Sequence, residues 1–113
     1  MDRRKVAILF PTAGDDIAPT VVITSSESGT TSADPIPMTV TFSEEVAGFV
    51  IGDITAVNAT LAAFATADNI VYTVNASATG AAVTIDVAAK VCKDLSGNDN
   101  AAAAQFAITY SAP

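Results

Sequence analysis

The chain has no histidine and no tryptophan, a single cysteine and only five basic residues. Each shortage closes a class of function. Without histidine there is no Ser-His-Asp or Cys-His arrangement, so nucleophilic catalysis lacks its usual base. One cysteine, Cys92, cannot form an intrachain disulfide, and without histidine beside it cannot build a zinc site. Its expected role is that of a small buried hydrophobe near a strand end. Three of the basic residues are Arg3, Arg4 and Lys5, so the chain beyond residue 5 carries −9 against an overall −7, with Lys90 and Lys93 as its only cations. Nucleic-acid and anionic-membrane partners, which need a cationic face, are therefore not expected. No apolar run approaches the roughly 20 residues of a membrane span.

What is present is a period of two. Residues 35–42 alternate, with Met38, Val40 and Phe42 on one face and Thr39 and Thr41 on the other. Pro35 and Pro37 belong at the entrance of that strand, because a central strand cannot spare their N–H donors. Residues 69–75 place Ile70, Tyr72 and Val74 together; residues 82–88 do the same with Val83, Ile85 and Val87; residues 105–110 with Phe106, Ile108 and Tyr110. Further β-rich runs lie at 20–25, 54–58 and 60–66. Turn residues separate them, at 25–34, 47–48, 67–69, 77–80 and 94–100. Seven short alternating strands in about 95 residues predict an all-β, two-sheet sandwich of about seven antiparallel strands. The alanines at 101–104 favour helix, and Asn100 could cap one. So short a helix is unstable alone, so an extended or irregular entry into the last strand is expected.

The chain of 113 residues fits one domain. Residues 1–14 read as a leader or the tail of a neighbouring segment, and 15–113 as the domain. The apolar stretch at 6–10 is shorter than the roughly 7–15 residues of a signal-peptide core. If the protein is exported, its signal is therefore expected to lie outside these residues. The stretch at 5–10 is also a candidate for strand addition to a sheet edge.

Few groups carry chemistry. Glu44 and Glu45 are adjacent, and neighbours in a strand point to opposite faces, so they do not form the carboxylate pair of a glycosidase. No catalytic residue is assigned and the expectation is a non-enzyme. Lys90 and Lys93 read as solvated rather than as isopeptide partners. Asn58-Ala59-Thr60 and Asn75-Ala76-Ser77 match the glycosylation sequon, triplets that arise by chance in a chain this rich in Ala, Thr and Asn. Calcium is the one cofactor candidate, since it needs roughly 6–8 oxygens. The turn at 94–100 offers Asp94, Ser96, Asn98, Asp99 and Asn100, with Asp15 and Asp16 at the domain entrance as further ligands and Glu44 and Glu45 in a third loop. The competing reading is a turn in which Asp94 bonds its own backbone and Gly97 takes a positive φ. Asp53 is expected to cap a turn before the strand at 54.

An ordered set of landmarks runs along the chain: DIAPTVVI at 16–23, PMTVTFSEEV at 37–46, FVIGDI at 49–54, VNATL at 57–61, YTV at 72–74, VTIDV at 83–87, DLSGN at 94–98 and FAITY at 106–110. In this order and spacing it resembles the bacterial Ig-like domains that occur in tandem in large surface proteins and adhesins. The resemblance implies an all-β, immunoglobulin-like β-sandwich, export to the cell surface or medium, and a role as spacer or presenter. The partners it implies are neighbouring Ig-like repeats and, in an adhesin, a host or surface ligand. The alternative function is a calcium-dependent ligand- or glycan-binding module. Sugar platforms use flat aromatic faces; here tryptophan is absent, and Tyr72 and Tyr110 fall on the inward faces of their strands.

Overall fold

Threonine alternating with β-branched and aromatic residues suits a pleated surface with one dry face. In the computed structural model, which describes residues 16–113, this pattern becomes ten strands. They are β1 (Val21–Ser25), β2 (Thr30–Thr31), β3 (Ile36–Phe42), β4 (Val46–Ala47), β5 (Ile54–Val57), β6 (Ala59–Thr66), β7 (Val71–Ala78), β8 (Ala82–Val87), β9 (Lys93–Asp94) and β10 (Phe106–Tyr110). A single 3-10 turn, Ile51–Asp53, precedes β5, and no α-helix occurs among the described residues. None is therefore long and apolar enough to cross a membrane. The segment read as a leader (1–14), with its strand-addition stretch at 5–10, and Asp15 lie outside the described residues.

The strands form two four-stranded sheets, ordered β1-β3-β7-β6 and β2-β10-β8-β5, plus the small β4-β9 ribbon. All pairings are antiparallel except β2 with β10. Both sheets feed one buried cluster: Val40 and Tyr72 from the first, Ile85 and Ile108 from the second. Each large apolar side chain buried there stabilises the fold by about 1.5–3 kcal/mol. One end of the core is aromatic. Phe49 sits 4.9 Å from both Phe42 and Tyr72, each edge to face, and such pairs add about 0.5–1.5 kcal/mol beyond their buried area.

The seven predicted strands all form, and the alanines at 101–104 are irregular as expected. Three details differ. Strand β7 reaches Ala78, beyond the expected end at Asn75, because its last residues pair with β6 through Thr60↔Ser77 and Ala59↔Ala78. Its start moves from 69 to Val71 because Asp68 Oδ1 accepts the N–H groups of Ile70 and Val71, both at 3.0 Å. Those two bonds hold the Asp68 carboxyl below its usual range. Pro37 lies inside β3 rather than before it. Backbone pairing with β1 stops at Ser25↔Met38, so Pro37 has a strand partner only in β7, while the Ser25 hydroxyl donates to its carbonyl.

The runs at 54–58 and 60–66, nearly continuous in sequence, belong to different sheets. The chain changes sheet at Asn58, which takes φ 61°. Its side-chain amide donates to Ala82 O at 2.8 Å, and its carbonyl accepts from Thr79 N at 2.7 Å. A Cβ at Gly80 would stand 2.9 Å from the Asn58 side chain, which fixes glycine there. The long outer strand β6 carries a bulge between Ala62 and Ala65, with Ala63 at φ 58°. Bulges of this kind spoil an edge as a template for further strands.

The pairings also set where the chain enters and leaves. Ala101 N donates to Pro19 O just before β1, and Ser111 N donates to Thr31 O just after β10. Entry and exit therefore sit at opposite ends of the sandwich, about 20 Å apart along the seven residues of β3.

Candidate functional site

The end at which the chain enters gathers most of the residues singled out above. Four segments meet there: 16–20, 43–53, 67–70 and 88–105. Thr20 and Ser43 exchange two bonds, Thr20 N to Ser43 Oγ and Ser43 N to Thr20 O, both at 2.9 Å. Val46 N reaches Asn69 O at 3.1 Å. The β4-β9 ribbon pairs Val46 with Asp94, which brings the loop carrying Glu44 and Glu45 alongside the 94–100 turn.

Asp94 is buried, and its carboxylate is turned into its own loop. Oδ1 accepts Ser96 N at 2.9 Å and Asn98 N at 2.8 Å; Oδ2 accepts the Asn98 side-chain amide at 3.0 Å. Its carbonyl accepts Gly97 N at 3.1 Å, and Gly97 takes φ 90°. This is the backbone-bonding turn of the competing reading. Asp99 instead pairs with Lys93 across an exposed surface, where such a bridge is worth little. Asp16 is exposed, Glu45 exposed and Glu44 half-buried. Among the described residues no three His, Cys, Asp or Glu groups stand close enough to hold a metal ion.

Asn100 has a role that its sequence position did not reveal. It is 2% exposed, and every polar atom of its side chain is engaged. Oδ1 accepts Val91 N at 2.9 Å and Cys92 N at 3.1 Å; Nδ2 donates to Ala88 O at 3.0 Å and Ala101 O at 2.9 Å. Its backbone adds two bonds, from Lys90 N and to Cys92 O. Asn100 thus clasps the 88–92 segment against the entry into β10. In sequence it is one polar turn residue among several, and nothing local separates it from Asn98.

Cys92 is buried beside this clasp. Burial pushes its thiol up to about 11, and the charges of Asp53 and Asp99 push the same way. At neutral pH it is a protonated hydrophobe, as its setting in the sequence suggested. Lys90 and Lys93 are exposed, Lys90 with φ 64°. Asp53 caps the 3-10 turn, its carboxylate accepting Val50 N at 2.9 Å. Along β9 runs an open groove of about 550 Å³, bordered by Val91, Leu95, Lys90 and Asp99. Tyr72 is buried and Tyr110 half-buried, so neither offers a flat exposed ring.

Two comparisons are silent: no curated protein and no solved structure matches the chain. The third gives a definite answer. A family model described as "Bacterial Ig-like domain" matches residues 15–110, the span that contains both sheets and the entry-end loops. The chain belongs to the bacterial Ig-like domain family.

Proposed function

We propose that this chain is a non-catalytic spacer module of a bacterial cell-surface or secreted repeat protein, of the kind that holds an adhesive tip away from the cell. Membership of the family supports a structural module. The observation that carries the finer reading is the placement of the chain ends: entry at Pro19 and exit at Ser111 lie at opposite ends of the sandwich. Modules wired this way add length in series, whereas ends on one side would fold successive modules back. The partners of this reading are neighbouring Ig-like repeats, and its location is outside the cell. The polar groups at the entry end support it too. Asp94, Asn98 and Asn100 serve the loop's own N–H and C=O groups, which is what a structural scaffold needs and a ligand site does not.

The experiment is small-angle scattering on two copies of the chain joined head to tail. An extended particle, with a maximum dimension close to twice that of the single chain, supports the spacer. A dimension near that of one chain, from copies lying side by side, overturns it.

A further inference from the structure

We propose that residues 6–10 of this chain, the apolar run VAILF, dock in cis on the groove along β9 at the entry end. The family match covers residues 15–110, so this segment lies outside the shared pattern and its docking belongs to this chain rather than to the sandwich. The groove owes its apolar wall to the turn beside it. The Asp94 carboxylate accepts the N–H groups of Ser96 and Asn98, which pins the backbone just beyond Leu95. Leu95 is held outward, 58% exposed, in a turn whose other residues are polar or glycine. With Val91 and Ala47 it borders the open space of about 550 Å³. The 43–53 segment at the same end adds Val50, 55% exposed, and Ile51. A single exposed leucine is ordinary, but apolar residues gathered at one end of a domain mark a contact surface.

Reach and charge choose the occupant. Fully extended, the chain from Phe10 to Asp16 spans about 20 Å. The end it has to cross is smaller. Four strands about 4.8 Å apart make it about 14 Å wide, and the two sheets lie about 10 Å apart. Residues 6–10 therefore reach any part of the entry end, and their tether gives them a high effective concentration there. The four segments that meet at this end hold seven acidic residues and, as bases, only Lys90 and Lys93, a net −5. Residues 2–5, directly before the apolar run, sum to +2. Opposite charge draws the segment to this end, whereas the domain of a second copy would bring its own excess of carboxylates and be repelled. Docking then removes Ile8, Leu9 and Phe10 from water together with the exposed face of Leu95. It would also fix the path by which the chain reaches β1.

Nuclear magnetic resonance on the isotope-labelled full chain tests this, with sedimentation to report its mass. The expected result is a set of Overhauser contacts from the Ile8 and Leu9 methyls to those of Val91 and Leu95, in a particle of one chain at every concentration. The double variant Ile8→Asp, Phe10→Asp, altered outside the sandwich, should lose these contacts and shift the amides of 47–50 and 91–97. Leu95→Asp, at an exposed position, should abolish the same contacts, and Val57→Asp, exposed on β5, should leave them in place. Amides at 47–50 and 91–97 that do not move in the double variant would overturn the proposal. So would shifts centred on β1 or β5, which would place the segment on a sheet edge. Contacts seen only between differently labelled copies, with the mass doubled, would make the occupant a second chain and overturn docking in cis. None of these outcomes bears on the scattering length of the tandem, so this inference and the spacer reading fail separately.

Discussion

Replacing Asn100 by alanine should be among the most damaging single changes available outside the apolar core. The substitution deletes four side-chain hydrogen bonds at a position that is 2% exposed. The consequences for the former partners are unequal. Ala88 and Ala101 are exposed, so their carbonyls can turn to water. The N–H groups of Val91 and Cys92 are half-buried and buried, and lose their acceptor with less access to solvent. A buried polar group left unpaired costs about 1–3 kcal/mol, and an ordinary lost bond about 1 kcal/mol. The expected loss is therefore about 3 kcal/mol, a large share of the roughly 5–15 kcal/mol that holds a domain of this size together. In melting temperature that is about 12–24 °C. The assay is urea unfolding followed by circular dichroism and tyrosine fluorescence, with the slope checked for constancy so that the midpoint shift reports stability. Asn100→Asp keeps an acceptor for Val91 and Cys92 but places an oxygen against two carbonyls, and should lose at least as much at pH 7. The control is Gln105→Ala, which removes one exposed bond to Asp86 and should cost no more than about 0.5 kcal/mol. A loss below about 1 kcal/mol for Asn100→Ala would refute the claim that this side chain clasps the loop.

Cys92 should make the fold sensitive to alkali. Its folded pKa of about 11 lies above the ordinary 9.0, so its contribution is fully present below pH 9 and is lost as pH rises through 11. Tyr72, raised first by burial and then by nearby charges, acts in the same direction from pH 10 upward. The urea midpoint should fall between pH 9 and 11 by less in Cys92→Ala than in the parent; equal slopes would contradict the assignment. Calcium gives the remaining check. A site with a dissociation constant tenfold below the added Ca²⁺ would stabilise the fold by about 1.4 kcal/mol. Because Asp94 already serves three loop donors, melting in excess Ca²⁺ and in EGTA should differ by less than that, and a larger rise would support the cation reading instead.

The sequence by itself determined the strands that carry an alternation. The inward faces of β3, β7 and β8 follow from their period of two, because a dry core on one side leaves a strand no other way to lie. It also determined Gly97 and Asp53, whose roles are local: a left-handed turn residue and a cap complete themselves within a few positions. The two-residue strands β2, β4 and β9 are too short to have a period, and form only where a partner strand already stands. The same holds for the crossing at Asn58, which separates two runs that look continuous, and for the bulge at Ala63. The site at the entry end was half legible. Its acidic and amide residues could be named, but an oxygen looks the same in sequence whether it faces a cation or a backbone N–H. Only the packing of 88–92 against the entry to β10 turned Asn100 inward. Only the pairing of both terminal strands with their neighbours decided that the chain enters at one end and leaves at the other, because strand direction relative to the whole is a property of the assembled sheets.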